Sequence, residues 1–77
     1  MSVVITLKFP LENGTNSLTM RPPRVRDQLA ADKTPGGDGD KEIMMFANLC
    51  EVTPNEISDL YMSDYRQLQK VFKDFLS

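Results

Sequence analysis

The residues in this chain that could do chemistry are few, and their spacing argues against catalysis. There is no histidine among the 77 residues, so neither a Ser-His-Asp nor a Cys-His nucleophile can be assembled. The single cysteine, Cys50, can form no intrachain disulfide and cannot supply a zinc site's usual thiolates and imidazoles. It falls on the apolar face of a predicted helix, where burial raises a thiol's pKa and suppresses its reactivity. The carboxylates from Asp38 to Glu42 lack the ligand order and terminal glutamate of a calcium loop, and read instead as loop and helix cap. Gly36-Gly37-Asp38-Gly39 follows a predicted helix rather than a buried strand, and no Lys-Ser/Thr pair comes after it. It is a linker, not a phosphate-binding loop. Ser63, in Met62-Ser63-Asp64, lacks the Asp-Ser-Leu setting of a carrier-protein attachment serine and reads as a helix cap. The chain is therefore expected to be non-enzymatic, with no cofactor and no metal.

What remains is binding. The basic segment Arg21-Pro22-Pro23-Arg24-Val25-Arg26 is the strongest feature for nucleic acid, with Arg24 placed to meet phosphates at a helix N-terminus. Asp27 and Asp32 lie close by, however, and no recognition helix rich in Arg, Asn or Gln follows. A solvated rim whose arginines pair with neighbouring acids is the reading these residues favour. The formal net charge of −2 is unevenly spread. Residues 1–33 carry five basic and three acidic side chains, net +2, while residues 34–77 carry four and eight, net −4. That split suits protein partners better than a phosphate backbone. Met1-Ser2-Val3-Val4-Ile5 has neither the positive start nor the long apolar stretch of a signal peptide. The longest apolar run, Ile43 to Ala47, is far short of the roughly 20 residues that span a bilayer. With one unpaired thiol, the chain is expected in the cytoplasm and away from membranes.

The elements that position these side chains follow from the hydrophobic pattern. Residues 3–9 alternate, with Val3, Ile5, Leu7 and Phe9 on one face, and Pro10 ends the run. Asn13-Gly14 marks a turn, and alternation resumes from Thr15 to Arg21 with Leu18 and Met20 facing inward. The two runs predict a β-hairpin. Pro22 and Pro23 close it, with Pro23 able to occupy the first turn of a helix near residues 24–32 whose apolar stripe is Val25, Leu29 and Ala30. Residues 33–39, with three glycines and a proline, are a loop inside one domain spanning residues 1–77, because neither side could fold alone. Asp40 caps the next helix, which places Ile43, Phe46, Ala47 and Cys50 inward and carries Met44, Met45 and Leu49 around its circumference. Thr53-Pro54-Asn55-Glu56 has the threonine, proline and glutamate of a capped helix start, and the short helix holds Ile57, Leu60 and Tyr61. Ser63-Asp64 opens the last helix, where Leu68, Val71, Phe72, Phe75 and Leu76 form an amphipathic stripe. The fold class is α+β: an N-terminal β-hairpin followed by three or four short α-helices.

Such a chain buries only roughly 60–65% of its unfolded surface, and a lone hairpin is barely stable in water. Disulfide and metal are ruled out by composition, so a partner is the remaining source of stability. The hairpin's free edge or the apolar helices are expected to join copies in a homo-oligomer.

The order of these features resembles the tail assembly chaperones of Mu-like, contractile-tailed bacteriophages. In that family a proline-ended hydrophobic strand, a Gly-containing turn and a second strand lead through an Arg-x-Pro segment into a helix with an early aspartate. Here that is Met20-Arg21-Pro22-Pro23-Arg24-Val25-Arg26-Asp27. A variable loop follows, then an apolar helix, Ile43-Met44-Met45-Phe46-Ala47-Asn48-Leu49-Cys50. A short capped helix at Val52-Thr53-Pro54-Asn55-Glu56-Ile57 and an aspartate-led final helix from Ser63-Asp64-Tyr65 complete the match. Glu51-Val52 stands where the family pattern suggests a glycine-containing turn. The resemblance implies a non-enzymatic chaperone that coats the tape measure protein in the host bacterial cytoplasm. It would assist the tail tube protein to assemble around it and be absent from the mature virion. Partner contact is expected from Met44, Met45, Phe72, Phe75 and Leu76, with Arg21 and Arg24 at the rim; methionine adapts to varied apolar partners. Against this, Phe72, Phe75 and Leu76 could simply be core. The alternative function is a small cytoplasmic regulatory or adaptor domain, with nucleic-acid binding as its testable form.

Overall fold

The computed structural model describes all 77 residues. Two strands, β1 (Val3–Thr6) and β2 (Ser17–Met20), precede four helices: α1 (Val25–Asp32), α2 (Asp38–Cys50), α3 (Pro54–Ser58) and α4 (Met62–Phe75). This is the expected α+β order, with the helix number settled at four. The strands pair antiparallel, Ile5 opposite Leu18 and Val3 opposite Met20. Between them Asn13 Oδ1 accepts from Thr15 N–H at 3.0 Å, and Gly14 takes φ +93°, the turn that an Asn-Gly pair favours.

Ile5, Leu7, Leu18 and Met20 are buried as their alternation requires. The ends of the first run are not: Val3 and Phe9 are 38% and 41% exposed. Strand β1 stops at Thr6 rather than Phe9, because the N–H groups of Lys8 and Phe9 leave the ladder for the carboxylate of Asp64.

Helix α1 corrects the sequence reading more deeply. Val25 and Leu29, expected on its inner stripe, are 79% and 56% exposed, and Ala30 is exposed too. The inward face instead presents Asp27 and Ala31. Pro23 lies outside the helix, before the N-cap Arg24. Helix α2 begins at Asp38 with Gly37 as its N-cap, three residues earlier than expected; Asp40 sits inside its first turn and accepts from Gly37 N–H at 3.0 Å. Gly36 is at φ +107°, and a Cβ there would collide with the Asp40 carboxylate, so this loop position needs glycine on both counts.

Every element contributes to one apolar cluster. Phe46 at its centre is wholly inaccessible and meets Tyr65 and Phe72 at ring-centroid distances of 5.6 Å each. The α3 cap forms as expected: Thr53 Oγ1 accepts from Glu56 N–H, and Glu56 Oε1 accepts from Thr53 N–H. The last helix differs: Tyr61 is the N-cap, and Ser63 lies in the first turn.

At the end of α2, Glu51 adopts φ 55° and ψ 46°, with its N–H and that of Val52 both bonded to Ala47 O. The left-handed position after a helix normally belongs to glycine, which carries no Cβ penalty there. Glu51→Gly is expected to stabilise the protein by about 0.5–1 kcal/mol, the relief of strain exceeding the entropy that glycine adds to the unfolded chain. Thermal unfolding should register this as a rise of about 3–5 °C; a fall would show that the Glu51 side chain contributes more than its backbone costs.

Candidate functional site

The side chains expected to meet a partner occupy three different environments. On α2, Met45 is only 5% exposed and forms part of the core, whereas Met44 is half-buried. On α4, Phe72 and Phe75 are half-buried and Leu76, capping the helix, is 65% exposed. Phe72 lines a shallow cleft between α1, α2 and α4, with Met45 and Ala31 among its walls. The structure thus brings Met45 and Phe72 together in this cleft and leaves Leu76 open to solvent.

The arginines separate. Arg21 is clamped to Asp27 by two parallel bonds of 2.8 Å, Nη1 to Oδ2 and Nη2 to Oδ1, and its N–H donates to Leu49 O at the end of α2. Asp27 Oδ2 also accepts from Arg24 N–H at 2.8 Å. The bonds from Arg21 outweigh the opposing effect of burial and, with the Arg24 amide, hold the Asp27 carboxyl down at about 2. Arg21 therefore anchors α1 to the hairpin and to α2, while Arg24 remains exposed.

Two other polar groups are spent on structure. Tyr65 donates its hydroxyl to Glu42 Oε1, and Gln69 Nε2 donates to the same oxygen at 2.9 Å, joining α4 to α2. Burial, followed by the Glu42 carboxylate, pushes the tyrosine's pKa upward. Cys50 is 8% exposed, and burial raises its thiol to about 11. Cys50 is accordingly expected to react with a disulfide reagent only on unfolding, so labelling should track denaturant-induced opening; rapid labelling of the folded protein would contradict its burial.

Sequence reading overlooked a third surface. Phe9, expected on the inner strand face, and Tyr61, expected in a short helix that instead ends at Ser58, turn outward and stack with ring centroids 4.7 Å apart. Tyr61 and its neighbour Met62 are each 62% exposed. The only local signal was Pro10, which stops the strand beside Phe9; the contact that turns this segment lies at Asp64, far along the chain.

No helix is long and apolar enough to cross a membrane. A family model described as phage tail assembly chaperone proteins, E, or 41 or 14, matches residues 4–77. No curated protein and no solved structure matches the chain.

Proposed function

This chain belongs to the family of phage tail assembly chaperone proteins, and from that premise we propose that its client is the tape measure protein. It binds that protein in the host bacterial cytoplasm, keeps it soluble, assists the tail tube protein to assemble around it, and is left out of the mature virion. The observation that carries this reading is the family match across nearly the whole chain. The chemistry is compatible: a protein that displays Val25, Leu29, Tyr61, Met62 and Leu76 to solvent has apolar surface to offer a client. Met44, Phe72, Phe75 and Leu76 remain candidate contacts on α2 and α4, and Arg24 is exposed.

Copies of the chain associate through the hairpin. Leu7 N–H bonds Asn16 O across the ladder, so in antiparallel alternation Ser17 and Thr19 direct their backbone groups away from β1. The neighbouring Arg21 N–H is taken by Leu49 O, which leaves Ser17 and Thr19 as the edge available to a second copy. Sedimentation at high concentration checks this; a monodisperse monomer would rule it out.

The functional test is co-expression with the tape measure protein of the same phage. Recovery of a soluble complex holding many copies of this chain supports the proposal. Elution of this chain alone, with the larger protein aggregated, overturns it.

A further inference from the structure

Between the hairpin loop and the turn from α3 into α4 runs an open groove. Its apolar side chains include Leu11, Tyr61 and Met62, and its rim carries Glu12, Glu56 and Asp59. No lysine or arginine lines it. Asn13 Nδ2 reaches toward Glu56 Oε2 at 3.5 Å, the long limit of a hydrogen bond, whereas Glu12 and Asp59 take part in no ion pair. The stacked rings of Phe9 and Tyr61 extend the apolar surface beyond the groove, with Lys8 Nζ over Phe9 at 5.5 Å from its centroid.

Three features make this more than scattered surface hydrophobics. Tyrosine and methionine are enriched in protein interfaces, and here they are adjacent and about two-thirds exposed. The floor is packed, because Leu60 beneath it is buried and Asp64 holds the hairpin side. The rim has one sign of charge, and unpaired carboxylates beside apolar surface favour a cationic occupant.

We infer that this groove receives a polypeptide segment whose apolar side chains are flanked by lysine or arginine. The segment's apolar residues pack on Tyr61 and Met62, and its cations meet Glu12 and Asp59. The inference rests on the proposed function only for the identity of the protein carrying that segment, the tape measure protein. It places the client contact at the start of α4, whereas the sequence-based choice lies on α2 and toward the end of α4.

The test uses the full chain and overlapping peptides that tile the tape measure protein, with binding read by fluorescence polarisation. Peptides that bind are expected to combine apolar residues with lysine or arginine and to weaken as salt rises. Tyr61→Ser with Met62→Ser should lower affinity by at least about tenfold, as loss of central anchors does. Glu12→Gln with Asp59→Asn should lower it about threefold and remove most of the salt dependence. These four side chains are at the surface, so circular dichroism should be unchanged. Lys73→Gln, exposed near the end of α4 and outside the groove lining, should bind as wild type. Peptide binding that survives both groove variants overturns the inference, and its loss in Leu76→Ser moves the contact to the other end of α4. If no tape measure peptide binds, a synthetic lysine–leucine amphipathic helix separates the two failures. Salt-sensitive binding of that helix, lost in the groove variants, keeps the groove and removes the tape measure protein as client. No binding removes the groove.

Discussion

Asp64→Ala is expected to cost about 3 kcal/mol, a large part of the on the order of 5–10 kcal/mol available to a chain of this size. The carboxylate is fully inaccessible. Its Oδ1 accepts from Lys8 N–H at 2.8 Å and from Gln67 Nε2 at 2.9 Å, and its Oδ2 accepts from Phe9 N–H at 3.0 Å. Alanine would remove three charge-assisted bonds and leave two backbone donors without their acceptor. Thermal unfolding should fall by about 15 °C. Burial by itself would raise the Asp64 pKa, but the bonds from Lys8, Phe9 and Gln67, with the Lys8 charge, hold it below its ordinary value. Asp27 is likewise depressed, from 3.8 to about 2. For both groups the unfolded chain binds protons more readily, so their stabilisation is present above the unfolded pKa and is lost as pH falls through the folded one. Urea unfolding at about pH 7 and about pH 3 should therefore show a loss on acidification that is smaller in Asp64→Asn, less stable from the outset, where Asp27 still contributes its share. An Asp64→Ala protein as stable as wild type would refute the role of this carboxylate.

Phe46→Ala is expected to be more damaging still, at about 4 kcal/mol. The side chain is enclosed on all sides where α2 meets α4, with Tyr65 and Phe72 each presenting a tilted ring to it. Truncation removes both aromatic contacts and opens a cavity that the helices, fixed by the Glu42–Tyr65 and Glu42–Gln69 bonds, cannot readily close. Phe46→Leu keeps most of the volume and should cost about 1–1.5 kcal/mol. Phe72→Ala, at a half-buried position, should fall between them. Equilibrium unfolding of the three variants tests this order, and a Phe46→Ala midpoint equal to wild type would contradict it.

The features that sequence revealed are those encoded locally. Alternation at Ile5, Leu7, Leu18 and Met20, the Asn13-Gly14 turn and the Thr53–Glu56 cap each depend on residues a few positions apart. What it concealed depends on distant polar partners. Val25 and Leu29 looked like the inner stripe of α1, but the Arg21–Asp27 pair rotates the helix so that Asp27 faces inward. Asp64 looked like part of a helix start, and its partners are 55 and 56 residues away. That same contact turns Phe9 from the strand face toward Tyr61. Helical spacing identified Leu68, Val71, Phe72 and Phe75 as the core-facing side of α4, but Leu76, placed on the same stripe, is open to solvent. It could not separate sealed Met45 from open Leu76, since spacing gives an angle around a helix and not what covers it. Glu51 stands where a glycine is expected, and its left-handed backbone shows why glycine would suit the position.

The Asp64 contact also sets the order of events as the protein is made. Lys8 and Phe9 leave the ribosome long before the residue that binds their amides, and the two must then close a loop of more than fifty residues. Until then α2 can pack against β2, but the end of β1 lacks its anchor, and a two-stranded piece is barely stable by itself. The hairpin is therefore completed only by α4, and a nascent chain paused before that helix presents a partly covered strand to whatever else is being synthesised nearby.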